Sequence, residues 1–173
     1  MKPVKLTFAI IWILYFLWVA SNPSAWSFFD NLDLAIHETG HLVFRPFGEF
    51  MSVAGGSIFQ IAFPAVFIGY FIWQKSYYSA AIVAVWIGQS ILNVYVYAND
   101  AIVMQLMLTS GMTGSEGGFH DWNYLLTELN LIHKTQLIAK IIRFTGTLVI
   151  IISGILSIYF AMQTKDDDWE ETI

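Results

Sequence analysis

The chain has 173 residues, 57% hydrophobic and 12% charged, whereas a soluble domain usually carries about a quarter charged residues, so the composition is that of a membrane protein. There is no cysteine, which rules out disulfides and thiolate metal ligands and leaves nitrogen and oxygen to hold any metal. At this length several membrane spans leave no room for a separate soluble module of roughly 100 residues, and one membrane domain is expected.

A transmembrane helix takes roughly 20 mostly apolar residues, and five segments approach that length. The first, 6–21, follows Lys2 and Lys5 like the front of a signal peptide but lacks a convincing cleavage site, and is read as an uncleaved anchor. The second, 28–44, contains "LAIHETGHLV". The third, 53–73, is apolar except for Gln60, and the fourth, 78–98, is followed by Asn99, Asp100 and a further apolar stretch, "AIVMQLML". After a glycine- and serine-rich loop, Trp122, Leu125, Leu126, Leu129 and Ile132 recur at helical spacing; residues 109–134 are thus a loop and an amphipathic helix that Asp121 can cap. The fifth span is 141–162, and the tail "KDDDWEETI", source of much of the formal charge of −5, is a solvated end. The fold class expected is an all-α polytopic membrane protein with about five transmembrane helices and one amphipathic helix.

Five alternating crossings with the N-terminus inside put Lys2, Lys5, Arg45, Lys134, Lys140 and Arg143 on one side and Lys75 and Lys165 on the other. Six against two favours a cytoplasmic N-terminus in a cell (inner) membrane and an external C-terminus.

Ionisable groups in a span cost at least a few kcal/mol each and mark function. Asp30, Asp33, His37, His41 and Arg45 follow one another at intervals of three or four, on one helix face; Gln89, Asn93 and Asp100 share a face of the fourth span. Interhelical hydrogen bonding alone can explain Gln60, Gln89 and Asp30. It does not explain the histidine pair, because His37-Glu38-x-x-His41 is a zinc motif: two imidazoles four residues apart bind one Zn²⁺, and the intervening glutamate takes a proton from water. With four histidines and six glutamates, chance produces this pattern in roughly three of a thousand such chains.

Zinc needs a third protein ligand. Asp100 fits by depth and face, and His120 in "FHDW" is the rival, able instead to bind substrate or an oxyanion. His133, beside Lys134, is an interfacial residue at a helix end. Asp33, four residues before His37, is placed to accept the second ring N–H of that histidine.

His37, Glu38 and His41 in one span, then a further span, then Asn93 and Asp100 in the next, resemble the site-2 protease family of intramembrane zinc metalloproteases over about residues 28–105. The resemblance implies a three-span core, zinc on His37, His41 and Asp100, Glu38 as the base and Asn93 in contact with substrate. It departs from the family in "NVYVYANDA", which lacks proline and has Ala101 after the aspartate, and in "HDWNYLLTELNL", which has no counterpart in the family's core. The expected function is a zinc metallopeptidase acting on transmembrane or membrane-associated proteins, with lipid as its other partner and no nucleic acid. "PFGEFMSVAGGS", with its glycines, is expected to offer an edge to the substrate. The competing expectation is a non-enzymatic zinc-binding scaffold, transporter component or partner subunit, whose structural zinc would be closed by four protein ligands.

Overall fold

A computed structural model describes residues 2–163; the acidic tail and Lys165 lie outside them. Among the described residues six α-helices make up the fold: α1 (Lys2–Ser21), α2 (Phe28–Phe44), α3 (Glu49–Trp73), α4 (Tyr77–Asn99), α5 (Asp121–Glu128) and α6 (Thr135–Gln163). Among the described residues the one β-like feature is an isolated bridge between Met107 and Thr113. Helix ends follow local chemistry. The Asp30 carboxylate accepts the backbone N–H of Ser27 at the start of α2, Gly48 takes φ +95° before α3, and the Thr135 hydroxyl donates to the Ile132 carbonyl as α6 begins.

Among the described residues four helical segments are long and apolar enough to cross a membrane: α1, α3, α4, and α6 with the turn before it. Their outward faces suit lipid, since Ile11 and Leu14 of α1, Val66 of α3 and Phe144 and Ile155 of α6 are exposed. The second segment is not among the four. It has 17 residues and carries Asp30, Asp33 and Glu38.

The helix directions also differ from simple alternation. The Tyr78 hydroxyl donates to the Lys5 carbonyl, the Trp12 indole N–H to Ile82, and Phe16 packs with Val85 and Leu92, so α1 runs alongside α4 in the same direction. α2 is antiparallel to α3, with His41 beside Ser52 and His37 beside Gln60, and α3 turns back into α4 at Gln74–Ser76. α2 therefore also points the way of α4, and the chain does not reverse between α1 and α2. α6 is antiparallel to α4, as Arg143 over Tyr95 and Phe160 stacked on Tyr77 show.

Lys2 and Lys5 thus share an end of the bundle with Lys75, while Arg45, Lys134, Lys140 and Arg143 belong to the other. Among the described residues the split is three against four, and the six-to-two asymmetry behind the expected orientation is not present.

The core is Phe16, Val85, Leu92 and Ile150, where α1, α4 and α6 meet. α4 and α6 approach closely at Gly88 and Gly146: a Cβ on Gly88 would lie 2.6 Å from Ile150 Cγ1. A second close crossing joins α2 to α3, where a Cβ on Gly40 would lie 2.3 Å from the Gly55 carbonyl oxygen. The glycines of "PFGEFMSVAGGS" therefore do not form a flexible edge. Residues from Glu49 onward are helix, and Gly55 and Gly56 admit α2.

Candidate metal centre

The helical repeat stacks His37 and His41 one turn apart on the buried side of α2, with ring centroids 4.7 Å apart and planes at 83°. Gly56 lets α3 reach them, since a Cβ there would lie 2.6 Å from His37 Nε2 and 2.8 Å from His41 Cε1. Each ring is then held by its Nδ1. His37 Nδ1 stands 3.2 Å from Gln60 Oε1, and His41 Nδ1 stands 2.9 Å from the Ser52 carbonyl oxygen. Both partners are acceptors only, so each Nδ1 carries a proton and each Nε2 is left to meet either a metal ion or, without one, a second proton shared with an acceptor.

Both Nε2 atoms converge on one carboxylate oxygen. Asp121 Oδ2 lies 3.0 Å from His37 Nε2 and 3.2 Å from His41 Nε2. Three lone-pair donors this close repel unless the imidazoles are protonated or a cation lies among them. Tetrahedral ligands at about 2.1 Å from zinc stand roughly 3.4 Å apart, so the cluster has the size of a contracted zinc ligand set. His37, Glu38 and His41 also form a group able to hold a metal ion, each offering a ligand atom within 4.8 Å of the others.

Asp121 reaches the histidines because α5 is braced from behind. His120 is its N-cap: Nδ1 accepts the Asn123 backbone N–H at 3.3 Å, and Nε2 faces Asp100 Oδ2 at 3.3 Å. Asp100 in turn accepts the backbone N–H groups of Gln105 and Leu106 at 3.1 and 2.9 Å. The Tyr97 hydroxyl accepts the Asp121 N–H at 3.1 Å, and its ring lies against His120. Burial opposes ionisation of Asp121, yet hydrogen bonds from the two histidines outweigh it and hold the carboxyl below its usual range. Burial pushes the His120 imidazole down, with the Asp100 charge offsetting this in part, so the ring is neutral at pH 7.

The residues singled out in the sequence are thus divided. His37, Glu38 and His41 come together, but Asp100 and His120 pair with each other and not with the histidine pair. Asp33 does not meet His37: its Oδ1 accepts the Trp86 indole N–H at 3.1 Å and the Ser90 hydroxyl at 2.9 Å. Asn93 gives one N–H to Asp30 Oδ1 at 2.8 Å and accepts from Gln60 Nε2 at 2.9 Å. Sequence spacing does not by itself mark Asp121 and Gln60 as partners of the histidines. The available signals were the adjacency of Asp121 to His120 and the spacing of Gln60 from Gly56.

A cavity of about 430 Å³ opens on the cluster. Glu38, exposed on α2, lines it together with Asn93, Tyr97 and the two histidines, and apolar side chains such as Trp26 and Met107 contribute to its wall. The fold and site define an all-helical bundle, suited to a membrane, built around a His-Glu-x-x-His helix. No protein-family model, curated protein or solved structure matches the chain.

Proposed function

We propose that this protein is an intramembrane zinc metallopeptidase of the cell (inner) membrane, hydrolysing peptide bonds of membrane-embedded or membrane-associated proteins. The observation that carries the reading is the convergence of His37 Nε2, His41 Nε2 and Asp121 Oδ2 while both Nδ1 atoms are committed elsewhere. Three protein donors beside a cavity suit a catalytic zinc site, whereas a structural one is closed by four. Both nitrogens of His120 are engaged, which argues against a fourth ligand from that residue.

His37, His41 and Asp121 hold the metal in this reading. Zinc, when bound, polarises the scissile carbonyl and brings the pKa of water towards about 7. Glu38 faces the same cavity, where its carboxylate takes the proton of the attacking water and returns it to the leaving amine. Asn93 commits one amide N–H to Asp30, and the second supports an oxyanion on the cavity side. The likeness to site-2 proteases then rests on the motif and Asn93, with the acidic ligand drawn from α5 after the loop instead of from α4.

The test is metal analysis of detergent-purified protein combined with hydrolysis of quenched-fluorescent transmembrane peptides in liposomes. Stoichiometric zinc, cleavage abolished by a chelator and cleavage restored by zinc are expected. Zinc without hydrolysis would leave the scaffold reading, and absence of both would remove the metal centre.

A further inference from the structure

Behind the histidine pair runs a chain of buried hydrogen bonds whose polarity is set at its far end. Asp30, 7% exposed, accepts at Oδ2 from the Ser27 backbone N–H and at Oδ1 from Gln89 Nε2 at 3.0 Å and Asn93 Nδ2 at 2.8 Å. Because the Asp30 oxygens accept from all three neighbours, Asn93 turns its N–H₂ towards Asp30 and its Oδ1 the other way. That oxygen receives Gln60 Nε2 at 2.9 Å. Gln60, 1% exposed, consequently turns its Oε1 to His37 Nδ1, 3.2 Å away, and the ring must carry its proton there.

We propose that Asp30 is a positioning residue for the metal centre: acting through the Asn93 and Gln60 amides, its carboxylate selects the His37 tautomer that leaves Nε2 free as a ligand. The proposal rests on the zinc reading, because without a metal His37 Nε2 faces Asp121 Oδ2 at 3.0 Å and carries a proton towards it as well. Three elements are joined by the relay, α2 at both ends, α4 through Asn93 and α3 through Gln60, so a charge almost two helical turns from His37 orients it without touching it. Outer partners of this kind typically change metal affinity by 10- to 100-fold.

Replacing the carboxylate by an amide tests the direction of the chain. In Asp30→Asn the new side chain satisfies the Ser27 N–H with its oxygen and presents N–H₂ to Asn93. Asn93 and Gln60 then both flip, Gln60 offers a donor to Nδ1, and His37 is driven to the Nε2–H form. In the double variant Asp30→Asn/Asn93→Asp the charge moves one link closer, Gln60 Nε2 again has a pure acceptor, and the Nδ1–H form returns. A packing role would respond to neither isosteric change.

The readout is zinc affinity, by competition titration with a chromophoric chelator on protein in nanodiscs, together with the imidazole ¹⁵N shifts of the histidine-labelled, zinc-loaded protein. The expected results are zinc on Nε2 of Nδ1–H rings in the parent, at least tenfold weaker zinc binding in Asp30→Asn, and recovery of the parent affinity and shifts in the double variant. Gln60→Met, which removes the last link, should weaken zinc binding even if Asp30→Asn folds poorly. Zinc affinity within twofold of the parent in all the variants overturns the proposal. A parent protein that takes up no zinc overturns the metal reading, and the proposal with it.

Discussion

Asp100 Oδ2 stands 3.3 Å from His120 Nε2, so the two side chains that compete in the sequence for one place on the metal instead hold each other. The pair fixes the first turn of α5 and thereby aims Asp121. In the proposed function, removing either weakens the centre indirectly, whereas removing Asp121 takes away a ligand. His37→Ala, His41→Ala and Asp121→Ala should each lose zinc on purification. Asp100→Asn and His120→Asn should retain it with roughly tenfold weaker affinity, the lower end for outer partners. Competition titration with a chromophoric chelator separates the two groups, and a metal-free Asp100→Asn beside a zinc-loaded Asp121→Ala would reverse the ligand assignment.

Glu38 shares the cavity with the histidines and in the proposed function serves as the base. Glu38→Gln should keep bound zinc yet slow peptide hydrolysis by about 10²- to 10⁴-fold, the usual worth of a positioned base. Turnover equal to the parent would remove the residue from the mechanism.

Two glycines separate the fold from the site. Gly40→Ala places a methyl group against the Gly55 backbone at the α2–α3 crossing, where overpacking costs typically 1–3 kcal/mol; a lower melting temperature is expected with or without zinc. Gly56→Ala instead places the methyl group 2.6 Å from His37 Nε2. It should weaken zinc binding more than it lowers the melting temperature of the metal-free protein. Thermal melts in nanodiscs with and without zinc give both numbers.

His120 supplies a pH dependence. Burial lowers its pKa, so the unfolded chain binds the proton more readily than the folded one. The stability this neutral ring contributes is present in full above its unfolded value of about 6.5 and is lost as pH falls through the lower folded value. His120→Asn keeps an oxygen to cap α5 and cannot titrate. Metal-free parent protein should therefore lose more stability than His120→Asn between neutral and mildly acidic pH; parallel melting curves in that window contradict the assignment.

Much of this architecture was legible in the residues themselves. Helix positions followed from apolar runs of membrane length, and α4 begins and ends within a residue of its expected bounds. The histidine pair followed from four-residue spacing, which any α-helix converts into a shared face. These are local relations. A span depends on its own hydropathy and a motif on its own periodicity, so neither needs the rest of the chain.

What only the tertiary structure decided was direction and partnership. Apolar length alone implies alternating crossings for α1 and α2, but a short polar helix gains more by burying Asp30 and Asp33 against α4 than by spanning lipid alone, and it does so parallel to α1. Nor does spacing distinguish His120 from Asp121, because neighbouring residues at a helix start point in different directions, and the cap geometry chooses between them. Asp121 is 84 positions from His37. A contact over that separation is fixed by the packing of α3, α4 and α5, and no local periodicity encodes it.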